Sequence, residues 1–148
     1  MALTVKPIKL WRREIENKPG ALAQTLEPLA IQGADLQVVM GYRYPGREEK
    51  AAIELYPVAG KKVSVAAERA GLSEAAIPTL LVQGDNKPGL GHAIARAIAN
   101  AGVNLDFLVA QVMEGRYSAV LGFDSEADLK KAVLLIKKAA SGKRRGLE

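Results

Sequence analysis

Hydrophobic and polar positions divide the chain into one order of elements that occurs twice. Ile8 to Ile15 and Ile77 to Gly84 are strand-like runs, the second carrying Leu80, Leu81 and Val82. Each leads through a Pro-Gly turn into a helical stretch, Gly20 to Gln32 and Gly89 to Ala101, where Ile94 and Ile98 stand four apart on one face. Alternation then predicts strands over Asp35 to Tyr42 and Asn104 to Met113. Turn signals at Tyr44-Pro45-Gly46-Arg47 and Met113-Glu114-Gly115-Arg116 fold these back on strands at Ala51 to Tyr56 and Tyr117 to Phe123. Second helices follow at Lys61 to Ala70 and Glu126 to Ala140, the latter with Ser125 placed to cap it and an apolar stripe of Leu129, Val133 and Ile136.

Two places break the symmetry. Pro28 falls inside the first helix, where a lost hydrogen bond costs about 3 kcal/mol, so a kink or an early 3₁₀ ending is expected there. A last short strand is expected within Ser73 to Pro78, running on into the next opening strand. After Ala140 only Ser-Gly-Lys-Arg-Arg-Gly-Leu-Glu remains, so the second set lacks a good candidate for its final strand.

The symmetry extends to residue identity. Glu16-Asn17-Lys18-Pro19-Gly20 returns as Asp85-Asn86-Lys87-Pro88-Gly89, a displacement of 69 (86 − 17). Without a gap, residues 16–36 match 85–105 at seven of 21 positions, including Ala30/Ala99, Gly33/Gly102 and Leu36/Leu105. A period of 69 is too long for a solenoid unit and suits one minimal domain, so a tandem duplication is expected: residues 1–75, residues 76–140 and a basic tail, 141–148. A domain of that size buries only about 60% of its unfolded surface, which favours association of copies within the chain or in a homodimer.

Composition narrows the function classes. Of 148 residues 49% are hydrophobic and 25% charged, enough to bury a core, and no apolar run is long enough to cross a bilayer. The N-terminus lacks a signal-peptide stretch, so a cytoplasmic protein is expected. The absence of cysteine removes thiolate and disulfide chemistry. The formal charge of +5 is concentrated at the end: residues 1 to 136 carry 16 basic and 15 acidic side chains, so the body is nearly neutral and not built for nucleic acid.

The repeated turn carries the candidate chemistry. It aims a helix N-terminus, whose first N–H groups have no intrahelical partner, at a cleft suited to a carboxylate. Pro19 and Pro88 set the chain direction, while Gly20 and Gly89 admit a ligand close to the main chain. Asn17 or Asn86 offers an amide oxygen to an ammonium group, and Asp35 or Asn104, opening the next strand, offers a second acceptor. Asp35 is charged and Asn104 is not, so two unequal half-sites are expected. The same Asn-x-Pro-Gly residues also suit a plain turn and cap, and Gly33 and Gly102 suit helix C-caps.

These segments, Glu16-Asn17-Lys18-Pro19-Gly20-Ala21-Leu22 with Gly33-Ala34-Asp35-Leu36, and Asp85-Asn86-Lys87-Pro88-Gly89 with Gly102-Val103-Asn104-Leu105, resemble the signature of the ACT-domain family. The resemblance spans residues 8–140. It implies an α+β fold of two ferredoxin-like βαββαβ (ACT-like) domains, antiparallel sheets with helices on one face. It also implies a non-catalytic regulatory protein that binds a small amino acid where two such domains pair, as a homodimer or with a metabolic enzyme partner. The resemblance implies ligand contacts from Asn17 and Asp35 and from Asn86 and Asn104; with them the expected ligand-binding residues are Lys18, Pro19, Gly20, Ala21, Leu22 and Leu36, and Lys87, Pro88, Gly89, Leu90 and Leu105 in the second copy. Serine-binding members of the family place His two residues before the first Asn; Ile15 and Gly84 stand there, which points instead to a small apolar amino acid.

Other readings fit less. Gly89-Leu90-Gly91 with Asp106 imitates a dinucleotide fingerprint, but Ile94 occupies the third glycine position. His92, the sole histidine, matches Ala23 in the first copy, so no metal site or His-dependent nucleophile is expected, nor any cofactor. Tyr42 and Tyr44 on a sheet could stack RNA bases, but they do not recur in register. A regulatory interaction subunit without its own ligand is the remaining alternative.

Overall fold

The computed structural model describes residues 3–141. Their order is β1 (Leu3–Ile8), β2 (Trp11–Glu16), α1 (Ala21–Ile31), β3 (Val38–Tyr44), β4 (Arg47–Tyr56), α2 (Lys61–Arg69), β5 (Ser73–Glu74), β6 (Thr79–Asp85), α3 (Leu90–Asn100), β7 (Leu105–Met113), β8 (Arg116–Phe123) and α4 (Glu126–Ala140). These form two compact units with one four-stranded antiparallel sheet each, ordered β3-β4-β2-β5 and β7-β8-β6-β1. Both orders describe the same α+β, ferredoxin-like arrangement, with the fourth position beside the first strand. What differs is where the fourth strand comes from.

The domain boundary expected at residues 1–75 therefore changes. One unit is Lys9–Ala76; β1 belongs with everything from Ile77 onward. Residues 3–8 pair antiparallel with 79–84, from Leu3↔Gly84 to Ile8↔Thr79, and supply the final strand that the sequence after Ala140 lacks. The expected strand Ile8 to Ile15 is correspondingly two pieces: Ile8 ends β1, the chain turns at Lys9 and Leu10, and β2 begins at Trp11. The physical reason is burial. Leu3, Val5 and Ile8 are all buried, and Leu3 and Val5 join Leu80 and Val82 in one core. The expected closing strand of the first unit shrinks to Ser73–Glu74 and does not continue into β6. The expected basic tail, 141–148, lies outside the described residues from 142 on.

In each unit the helices cover one sheet face. Leu80, Val82, Ala119 and Leu121 alternate toward Leu90, Ile94, Ile98, Leu129, Ala132 and Ile136; in the other unit Ile53 and Leu55 meet Leu29, Val63 and Ala67. Glycines at φ 77 and 74 end α1 and α3. Gly33 N–H donates to Ala30 and Ala34 N–H to Leu29, with the same pattern at Gly102 and Val103, so both ends are Schellman caps. The helix α1 does not stop early at Pro28; it continues to Ile31, and the proline is half-buried. The strand expected from Asp35 starts only at Val38, because the cap holds 33 and 34 and Gln37 N–H first reaches Tyr56.

Candidate functional site

The two repeated turns have matching backbones. Gly20 and Gly89 are the N-cap residues of α1 and α3, with φ 88 and 86, a left-handed conformation that explains glycine at both. Ala21 N–H turns back to Lys18 C=O and Leu90 N–H to Lys87 C=O, while Gln24 and Ala93 reach Gly20 and Gly89. The N–H groups of Leu22 and Ala23, and of Gly91 and His92, have no protein acceptor among the described residues. Neither helix has a side-chain cap or an acid in its first turn. The helix α4, by contrast, is capped by Ser125, which accepts from Asp128 N–H, and carries Glu126 and Asp128. The helix α2 also starts at a glycine without a cap, and Lys61 and Lys62 add positive charge to its first turn. The positive ends of α1, α2 and α3 are thus left uncompensated, but only α1 and α3 follow an asparagine and a left-handed glycine.

The asparagines occupy the same place with different partners. Asn17 N–H donates to Glu49 C=O and Asn86 N–H to Gly115 C=O, so each loop is tied to the neighbouring hairpin. The Asn17 Nδ2 also donates to Glu48 C=O at 2.9 Å; the Asn86 side chain makes no such bond among the described residues. The cause is an irregularity in the first hairpin. There the register jumps between Arg43↔Ala51 and Tyr44↔Arg47, and the extra residues bring Glu48 and Glu49 beside Asn17. The second hairpin turns tightly through Glu114 and Gly115, both with positive φ, and keeps its register to Arg116.

The remaining candidates divide between backbone and core. Lys18, Pro19 and Gly20 are exposed, as are Pro88 and Gly89, while Asn86 and Lys87 are half-buried. Leu22 is exposed, but the side chains of Ala21 and Leu90 are buried, so these two can offer a ligand only main-chain atoms. Leu36 and Leu105 likewise pack on the cores. Asp35 and Asn104 are exposed at the far ends of α1 and α3. Eleven residues of helix, about 16 Å, separate Asp35 from Asn17, so one unit cannot close both onto one small ligand.

Two features escaped the sequence reading. Tyr117 is 5% exposed, pairs with Gly84, and its hydroxyl lies 3.8 Å from where a Cβ on Gly91 would sit, under the first turn of α3. Burial raises its phenol above the ordinary value. Ala51, opposite Ile15, holds the equivalent place in the other unit, so only the Asn86 turn has this hydroxyl. Tyrosine on a strand facing a glycine was the available signal. The second feature is Glu54, 3% exposed, whose Oε2 accepts from the Tyr42 hydroxyl and stands 3.9 Å from Arg12 Nε. Arg12 also donates to the Tyr44 hydroxyl and stacks over that ring at 5.8 Å. Partial burial works to lower the Arg12 guanidinium, but Tyr44 and Tyr42 outweigh it and leave it raised; burial and then Glu54 raise the Tyr42 phenol. A charged residue inside the run Ala51-Ala52-Ile53-Glu54-Leu55 was the clue. Both tyrosines are engaged within this network.

His92 is exposed, and among the described residues no group of three His, Cys, Asp or Glu could hold a metal ion. No helix among them is long and apolar enough to cross a membrane.

No protein-family model matches the chain, and no curated protein does either. Solved structures do. Protein BT0572 from Bacteroides thetaiotaomicron superposes with a TM-score of 0.73 at 15% identity, over 92% of this chain and 90% of that one. The regulatory subunit of aspartate kinase from Thermus thermophilus gives 0.62 at 16% identity, over 94% and 97%. The regulatory subunit of aspartate kinase from Thermus flavus gives 0.58 at 16%, over 95% and 97%. At these identities the likeness is one of fold, and along nearly its whole length the chain has the ACT-like fold of aspartate kinase regulatory subunits.

Proposed function

We propose that this chain is a non-catalytic regulatory protein that binds a small amino acid at paired ACT-like units. The observation that carries this reading is the uncompensated N-terminus of α1 and α3, each beside an asparagine and a left-handed glycine, while α4 is capped by Ser125 and carries acids in its first turn. The ligand carboxylate takes the free N–H groups of the first turn, and its ammonium takes the Asn86 or Asn17 oxygen. The Tyr117 hydroxyl adds a contact at the Asn86 turn. Because Asp35 and Asn104 stand a helix length from the turns of their own units, they reach the ligand only from a second unit laid alongside.

A homodimer supplies such pairing. The edge strand β7 exposes Leu108, Val109, Val112 and Met113 along an unpaired backbone, a surface that a second copy would cover. The aspartate kinase regulatory structures suggest what is controlled, an enzyme of amino-acid metabolism. Unfolding temperature measured with each common amino acid tests the reading. A ligand at about 100 times its Kd adds about 2.7 kcal/mol, or several degrees, and Asn86→Ala should remove the shift. If no amino acid moves the melt, the chain is an interaction subunit without its own ligand.

A further inference from the structure

The helix layer of the Lys9–Ala76 unit carries a groove between α1 and α2. Pro28 and Ile31 of α1 and Val65 and Ala66 of α2 form its floor, over about 220 Å³. Residues 28 and 31 share one face of α1, and 62, 65, 66 and 69 share one face of α2, by helical spacing. Displacing α1 by 69 residues puts Ala97, Asn100 and Ala101 where Pro28, Ile31 and Gln32 stand. Along the groove Ile31 is 72% and Val65 37% exposed.

Two cations rim this floor. Lys62 and Arg69 line the groove seven residues apart on α2, about 10.5 Å along its axis, and neither makes an ion pair among the described residues. The groove is smaller than the roughly 300–1,000 Å³ of small-molecule sites and suits one or two apolar side chains instead. We infer that it docks a helix of a partner protein whose apolar stripe is flanked by carboxylates two turns apart. This does not depend on amino-acid binding.

Charge decides against the other occupants. A second copy laid symmetrically on the groove would set Lys62 and Arg69 against themselves. Its other helices offer Arg96, Lys130, Lys131, Lys137 and Lys138 against Glu126 and Asp128, which are confined to the first turn of α4, and the chain's own last residues include Lys143, Arg144 and Arg145 against Glu148. The excess of cations in each repels the rim.

The test uses the full chain and two synthetic amphipathic helices with the same leucine stripe, one flanked by Glu and one by Lys, followed by fluorescence anisotropy. The Glu peptide should bind saturably and more weakly in high salt. Exchanging the rim charges with Lys62→Glu and Arg69→Glu should weaken it roughly tenfold and admit the Lys peptide. Ile31→Asn, which copies Asn100 of the other unit at an exposed site, should abolish both. Equal binding of the two peptides, or no inversion on charge exchange, overturns the proposal. So does self-association lost in Ile31→Asn, or single-stranded RNA binding lost in the charge-exchanged chain.

Discussion

In the Lys9–Ala76 unit the fourth strand is two residues, Ser73–Glu74, reached directly from α2; in the other it is the six residues Leu3–Ile8, reached from the far end of the chain. The first unit closes locally, whereas the second cannot finish until both flanks of the first exist. The turns differ in the same sense. Asn17 is held by the Glu48 and Glu49 carbonyls of an enlarged hairpin, where Ala51 pairs with Ile15; Asn86 faces a tight turn, its side chain makes no hydrogen bond among the described residues, and Tyr117 reaches under the first turn of α3. One topology thus closes in two ways: a compact inserted unit whose Asn17 side chain is tied to the hairpin, and a unit closed by residues 3–8 whose Asn86 side chain makes no hydrogen bond among the described residues.

Removing residues 1–8 breaks this comparison most severely. It strips Leu3, Val5 and Ile8 from the core, each worth about 1.5–3 kcal/mol, and opens the β6 edge. Hydrogen exchange should then show β6 to α4 unprotected while β2 to α2 stay protected. Equal loss in both would mean that the units do not fold separately. Non-local closure also predicts that β2 to α2 gain protection first during refolding.

Next comes Arg12→Ala, which deprives buried Glu54 of its nearby cation and should cost about 3 kcal/mol in urea unfolding, confined to the inserted unit. A smaller effect is expected from Tyr117→Phe. Loss of one hydrogen bond should weaken ligand binding by about 0.5–1.5 kcal/mol with little change in the ligand-free melt.

Smallest is Asp106→Asn. Asp106 is the bulged residue of β7, and its hydrogen bond to Asp124 raises its carboxyl above the ordinary value. The folded state therefore holds this proton more firmly than the unfolded chain. The stability it contributes is full below the ordinary carboxylate range and is lost as pH rises through the raised value. The substitution should raise the melting temperature slightly at neutral pH and not at pH about 3. Gln37, at the equivalent place, is uncharged, so Gln37→Glu should not reproduce the pH dependence.

The element order and helix limits were legible because each rests on local signals: Pro-Gly before α1 and α3, the glycine caps at Gly33 and Gly102, Ser125 before α4. β1 was not, since Leu3, Val5 and Ile8 make too short a pattern to declare partners 71 (79 − 8) to 81 (84 − 3) residues away. Asn17 and Asn86 read as equals, because the bulge that separates them depends on strand register, which periodicity does not report. Tyr117 was hidden for the same reason: only its pairing with Gly84 brings it under the turn.

Calorimetric titration of the full chain with whichever amino acid most raises its melting temperature tests the central claim directly. Binding should persist in Asn17→Ala with reduced affinity and be lost in Asn86→Ala, because the free amide and the phenol lie at the second turn. Undiminished binding in Asn86→Ala, or equal losses from the two substitutions, would contradict it.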